Sequence, residues 1–190
     1  MKKDIIFAGV GGQGIVSAAA MVVSCADRLG FKCKQNEVHG MAQRGGAVVC
    51  HVRISDEEIY SDIIPRGGAD IILATEPMEA IRYLDFLKKG GKIISCNRPV
   101  INIEYPDLQN VIDAIKKHSG SVIVDAKKLV AELKNERVVN IAMVGALCKV
   151  LDLDGLKEGI LKDVEKRFSK KGEAVVKLNF QAFEFGQTSA

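Results

Sequence analysis

Ile5-Ile6-Phe7-Ala8-Gly9-Val10-Gly11-Gly12-Gln13-Gly14-Ile15 decides the fold. Four apolar residues running into glycine read as a strand buried on both faces. Ile15 to Leu29 is rich in Ala, Val and Met and sparse in polar residues until Asp27 and Arg28. It reads as a mostly buried helix, closed by Gly30 as its C′ residue. Between strand and helix, Gly9, Gly11 and Gly14 satisfy G-x-G-x-x-G, with Gly12 and Gln13 inside the loop. Glycines permit a tight turn and a close approach of backbone to an anion, and a helix N-terminus supplies free N–H groups and a positive dipole end. A pyrophosphate-bearing dinucleotide fits that arrangement. The same glycines would equally serve close strand–helix packing or subunit docking, and Gln13 favours neither reading.

Outward from this stretch, strand and helix patterns alternate. Phe31 to Val38, Ala47 to Ile54 and Ala69 to Ala74 read as strands. Thr75 is expected to cap a helix with Pro77 in its first turn and Ile81, Leu84 and Leu87 on its apolar face, ended by Gly90-Gly91. Lys92 to Ser95 and Ser121 to Val124 are further buried strands. Asp125 caps a short helix, Val139 to Leu151 makes another, and the charged C-terminal third is helical in pattern. The expectation is an α/β fold: a mainly parallel sheet sandwiched by helices, with a Rossmann-like start. No linker or composition break divides residues 1–190, so one domain is expected.

Composition narrows the function. The chain has 190 residues, 47% hydrophobic and 27% charged, as in ordinary globular proteins. Trp is absent and aromatics are 5%, which argues against a stacking platform for single-stranded nucleic acid. A net charge of +3 is too small for a phosphate-backbone binder. The apolar run before Gly9 is too short for a secretory segment, and no later stretch would span a bilayer, so a cytoplasmic protein is expected. Five scattered cysteines with no C-x-x-C pair read as small buried hydrophobes rather than as ligands of a cluster or zinc.

The most unusual stretch is Glu37-Val38-His39-Gly40-Met41-Ala42-Gln43-Arg44-Gly45-Gly46. It places an acid, an imidazole, an amide and a guanidinium among glycines at the expected C-terminal edge of the sheet, where α/β proteins hold ligands. Glu37 lies about where a ribose-binding acid would fall. Arg44 has a fork suited to phosphate or carboxylate, and His39 is able to move a proton or donate a hydrogen bond. The plainer reading is an interface loop in which Arg44 pairs with a carboxylate. His51, on a valine-rich strand, reads as a satisfied core or interface histidine. Arg66, in Pro65-Arg66-Gly67-Gly68, belongs to a third Gly/Arg turn whose simplest role is to reverse the chain. No Ser-His-Asp order, P-loop lysine or metal-ligand spacing appears.

Taken together, these residues resemble the beta subunits of indolepyruvate:ferredoxin oxidoreductases, which are related to the gamma subunits or domains of pyruvate and 2-oxoglutarate ferredoxin oxidoreductases. The glycine loop and its small-residue helix carry the likeness, with His39-Gly40-Met41-Ala42-Gln43-Arg44-Gly45-Gly46 as its specific part. Arg66-Gly67-Gly68-Ala69-Asp70 and Glu76-Pro77-Met78-Glu79-Ala80 extend it across nearly the whole chain. The resemblance implies CoA-dependent oxidative decarboxylation of arylpyruvates, with ferredoxin as electron acceptor. It also implies that thiamine diphosphate, Mg and iron–sulfur clusters reside on a large alpha subunit, since the hard chemistry belongs to cofactors. No Gly-Asp-Gly segment followed by asparagine is present for a thiamine–magnesium site. This chain alone is therefore expected to bind none of these cofactors and to be inactive, with its Gly/Arg loops bordering the coenzyme A channel. Two alternatives stay open: a free-standing NAD- or FAD-binding oxidoreductase, and a pure assembly subunit. An isolated chain would also have a docking surface left over for a homodimer.

Overall fold

The computed structural model describes residues 1–40, 45–101 and 104–190. In chain order the elements are β1 (Lys2–Val10), α1 (Ile15–Arg28), β2 (Lys32–His39), β3 (Ala47–Ser55), β4 (Ala69–Ala74), α2 (Pro77–Arg82) and β5 (Leu87–Cys96). They continue with α3 (Leu108–Lys116), β6 (Val122–Val124), α4 (Ala126–Leu133), α5 (Val139–Leu151), α6 (Leu156–Phe168) and α7 (Glu173–Thr188). The six strands form one sheet in the order β2-β3-β1-β4-β5-β6. Pairings from β1 through β4 and β5 to β6 are parallel, whereas β3 runs antiparallel to both β1 and β2. The sheet is thus mainly parallel, with one reversed strand beside its centre.

The alternation of β1 builds both layers. Ile5 and Phe7 enter one core with α1, α4, α5, α6 and α7, while Ile6 and Ala8 enter the other with α2 and α3. A strand covered on both faces must be apolar throughout, which is why Ile5-Ile6-Phe7-Ala8 shows no polar alternation. α1 ends as the sequence indicates: Gly30 N donates to Asp27 O and Phe31 N to Ala26 O, the paired bonds of a Schellman closure. No helix among the described residues is long and apolar enough to cross a membrane.

Two glycines set how closely the C-terminal helices pack. A Cβ on Gly145 of α5 would fall 2.1 Å from Phe183 O of α7, and one on Gly186 would fall 1.8 Å from Ala142 O. Neither helix backbone leaves room for a methyl group at these two crossings.

At the other end of the sheet, the segment 56–68 is tied down by β3. Arg53 Nε and Nη2 donate to the two oxygens of buried Asp4, at 2.8 and 3.1 Å. Its Nη1 donates to Ser61 O and Ile63 O. His51 is the satisfied histidine its strand context indicates: buried, with Nδ1 accepting from Ile64 N at 3.1 Å and its ring edge-on to Phe86.

The structure corrects the helix after β4. Glu76, not Thr75, caps it: the Glu76 carboxylate accepts from Glu79 N, while Thr75 turns its hydroxyl to Gln13. The helix ends at Arg82; Leu84–Phe86 form a 3-10 turn, and Leu87 already belongs to β5. Ile81, Leu84 and Leu87 do share an apolar surface, against the α2–α3 core. Gly90-Gly91 lie inside β5 rather than ending a helix. Gly90 has φ +78°, and the register with β4 jumps from Ala69↔Leu87 to Ile71↔Lys92, so this is a bulge that only glycine takes without strain.

Candidate functional site

The glycine loop leaves β1 and is pinned on three sides. Gln13 Oε1 accepts from Val10 N and from Thr75 Oγ1, both at 2.8 Å, and Gln13 Nε2 donates to Thr75 O at 3.2 Å. Gly9 lies under this clasp; a Cβ there would sit 2.3 Å from Thr75 Oγ1. Gly14 is the N-cap of α1 at φ +76°, and a Cβ there would sit 2.5 Å from Asn140 Nδ2 of α5. Left-handed backbone and close approach together demand glycine at position 14. No side chain among the described residues caps α1, and no acid lies in its first turn.

The second constellation meets the first. Gly11 N donates to Gly46 O at 2.8 Å, and Gly45 N donates to Gly11 O at 3.3 Å, prolonging the β1–β3 ladder into both loops. Glu37 and His39, whose Oε1 and Nε2 are 3.7 Å apart, line a cavity of about 370 Å³ with Gly11, Gly12 and the first turn of α1. Gln43 and Arg44 lie outside the described residues. Arg66 is not brought to the site. It precedes β4, roughly 20 Å away at the opposite end of that strand, and pairs in the open with Asp85.

A larger crevice of about 570 Å³ opens on the other side of the glycine loop, between β1 and β4. The connection after β1 runs to α1 on one face and the connection after β4 to α2 on the other, so this is the topological switch point of the sheet. Gly12, Gln13, Gly14 and Thr75 form one wall, and Arg98, Arg137 and Asn140 join from later in the chain. Arg98 is paired with Glu136, whereas the Arg137 guanidinium forms no ion pair among the described residues. Asn140 Nδ2 donates to Gly14 O at 3.4 Å, and its Oδ1 is buried without a partner among the described residues. Cys96 Sγ donates to Thr75 O, and burial pushes this thiol up to about 12, so it stays protonated rather than becoming a nucleophile.

Arg98, Arg137 and Asn140 were not singled out in the sequence. Arg98 had a usable signal, since Cys96-Asn97-Arg98-Pro99 directly follows a strand whose C-terminal end faces the crevice. Arg137 and Asn140 had none, because only the fold carries α5 back to the loop.

The place of Glu37 weakens the dinucleotide reading. Its strand is separated from β1 by β3, through the register Glu37↔Cys50↔Phe7. The acid therefore stands two strand spacings, about 10 Å, from β1, instead of on the neighbouring strand where a ribose hydroxyl is usually met. Among the described residues, no three His, Cys, Asp or Glu side chains converge to hold a metal ion.

The fold and crevice define an α/β domain with a Rossmann-like start and a polar, partly basic cleft at its switch point. More particularly, the chain belongs to the pyruvate ferredoxin/flavodoxin oxidoreductase family, whose model matches residues 4–188. It is 35% identical to the indolepyruvate oxidoreductase subunit IorB of Thermococcus kodakarensis, over 98% of this chain and 95% of the relative. Among solved structures, it resembles the pyruvate oxidoreductase subunit PORC of Thermotoga maritima with a TM-score of 0.73 and 22% identity, covering 99% of this chain and 96% of that one. It also resembles the 2-oxoglutarate:ferredoxin oxidoreductase of Magnetococcus marinus, with a TM-score of 0.80 and 23% identity. That likeness covers all of this chain but only 31% of the other.

Proposed function

We propose that this chain is the beta subunit of an indolepyruvate:ferredoxin oxidoreductase and supports CoA-dependent oxidative decarboxylation of arylpyruvates with ferredoxin as acceptor. One observation carries the reading: near end-to-end similarity to a relative that is itself named as an indolepyruvate oxidoreductase subunit. On this reading, thiamine diphosphate, Mg and iron–sulfur clusters on the large alpha subunit supply carbanion chemistry and electron transfer. The work of this chain is binding and shaping. The uncapped N-terminus of α1, with Arg98 and Arg137 across the crevice, offers N–H groups and positive charge to the phosphates of coenzyme A. The Magnetococcus marinus enzyme is described with 2-oxoglutarate, coenzyme A and succinyl-CoA bound, which makes coenzyme A the ligand to test.

The test is association followed by kinetics. This chain and the large subunit, mixed in equal amounts, should co-elute as one complex on size exclusion. In that complex Arg137→Ala should raise the KM for coenzyme A about tenfold or more with little change in the KM for indolepyruvate, the size expected for losing a charge-assisted contact. Separate elution of the two chains would sink the subunit reading. An unchanged KM would move coenzyme A away from this crevice and leave a purely supporting subunit.

A further inference from the structure

A third, smaller cavity, of about 140 Å³, lies between α2 and the segment that follows β5. It has room for a handful of water molecules at about 30 Å³ each, or for the head of one long side chain. Glu76, Glu79 and Glu104 line it, with Arg82 as the single cation among the described lining residues.

The two buried glutamates differ in how they are satisfied. Glu76 is fully engaged: Oε2 accepts from Glu79 N at 3.0 Å, and Oε1 accepts from Tyr105 Oη at 2.7 Å and from Val100 N at 3.4 Å. Glu79 is 5% exposed and only half engaged. Its Oε1 accepts from Arg82 Nε at 3.1 Å, while Oε2 is buried and accepts from none of the described residues. Burial holds the Glu79 carboxyl above its ordinary range, against the pull of Arg82 and with Glu76 adding to the rise. An unpartnered carboxylate oxygen is a strong acceptor waiting for a donor.

The chemistry of the lining selects the donor. Among the described lining residues, three carboxylates against one guanidinium leave an excess of negative charge, which selects a cation as occupant. Convergence for a metal is absent among the described residues, which leaves an organic ammonium or guanidinium. Val10 and Gly45 also line the cavity, so it belongs to the same sheet edge as the glycine loops, and Ile101 on the neighbouring segment is 75% exposed. We infer that this cavity is a socket for a lysine or arginine side chain of the large subunit, with Glu79 Oε2 as its acceptor. The inference rests on the subunit reading above and adds to it the place and chemistry of one docking contact.

The experiment measures affinity of the large subunit for the wild-type chain, Glu79→Gln and Glu79→Lys, each at low and at moderate salt. Glu79→Gln keeps the shape and an acceptor for Arg82 but removes the charge. It should weaken association by about tenfold to a thousandfold, and flatten its salt dependence, as loss of one partner of a buried charge pair does. Glu79→Lys should bind more weakly still. Thermal melting of the isolated Glu79→Gln chain should be unchanged or higher, because a buried carboxylate with one unsatisfied oxygen has gone while an acceptor for Arg82 stays; a contact serving only this chain would lower it. Wild-type affinity in Glu79→Gln overturns the socket while leaving the subunit reading intact. Stabilisation of the isolated wild-type chain by free arginine, lost in Glu79→Gln, together with unchanged large-subunit affinity, would assign the cavity to a free cation and also overturn it. Failure of the wild-type chain to bind the large subunit would overturn both.

Discussion

Gln13 and Thr75, 62 residues apart, are joined by two hydrogen bonds of opposite sense: Thr75 Oγ1 donates to Gln13 Oε1, and Gln13 Nε2 donates to Thr75 O. With the further bond from Val10 N to Gln13 Oε1, they fix the glycine loop against the end of β4 and so set the wall of the crevice. Gln13→Ala should cost about 1–3 kcal/mol, because it leaves Val10 N and the Thr75 hydroxyl without their acceptor, while Thr75 O keeps the Cys96 thiol as donor. Gln13→Glu keeps the acceptor but loses the donor to Thr75 O, and places a negative charge in the crevice. It should therefore harm coenzyme A affinity of the complex more than Gln13→Ala does, while costing no more stability. Thermal melting and coenzyme A titration of the two variants check both halves.

The crossing of α5 and α7 predicts a sharp steric effect. Gly186→Ala drives a methyl group into Ala142 O and Gly145→Ala drives one into Phe183 O, with main chain rather than a flexible side chain in the way. Each should cost about 2–3 kcal/mol or more, a fall in Tm of roughly 4–12 °C for a chain of this length. Gly12→Ala meets nothing within 4 Å and carries only the penalty of its φ of +100°. It should cost clearly less than either helix variant by the same melting measurement.

How much of this was legible in the sequence depends on where each signal sits. β1, the glycine loop and α1 were readable because burial on both faces enforces Ile5-Ile6-Phe7-Ala8, and a positive φ at position 14 enforces glycine. The reversed direction of β3 was not, since a strand's composition carries no arrow. The spacing of Ile81, Leu84 and Leu87 fits one helical face, yet the chain satisfies it with a short helix, a 3-10 turn and the start of β5. In the site, the meeting of Gly11 with Gly45 and Gly46 follows from two motifs visible in the sequence. The contribution of Asn140 does not, because 126 residues separate it from Gly14 and nothing local marks it.

The buried pair of Asp4 and Arg53 predicts a coupled loss of stability and of local order. Asp4→Ala leaves the guanidinium with only the carbonyls of Ser61 and Ile63, and breaking a buried pair on one side costs about 3–5 kcal/mol. Amide hydrogen exchange should rise first across residues 56–68, which these bonds hold down. Uniform loss of protection through the chain would show that the pair stabilises the sheet and not that segment.

His51 predicts a pH dependence. Burial holds its imidazolium below the usual histidine range, with Asp62 opposing and Arg53 assisting. The unfolded chain then takes up the proton first as pH falls. This contribution to stability is complete above the unfolded value of about 6.5 and is lost as pH drops from there toward the lower folded value. Protonating Nδ1 would also remove the acceptor for Ile64 N. Wild-type stability in urea should decline between about pH 7.5 and pH 5 more steeply than that of His51→Asn, which keeps an acceptor without titrating. Equal slopes would remove His51 as the cause.

The most direct test of the central claim is coenzyme A-dependent reduction of ferredoxin or a viologen dye by indolepyruvate, assayed with this chain alone, the large subunit alone, and the two combined. Turnover is expected only in the mixture. Turnover by this chain alone, or full activity of the large subunit without it, would show that this chain is not a required subunit of the enzyme.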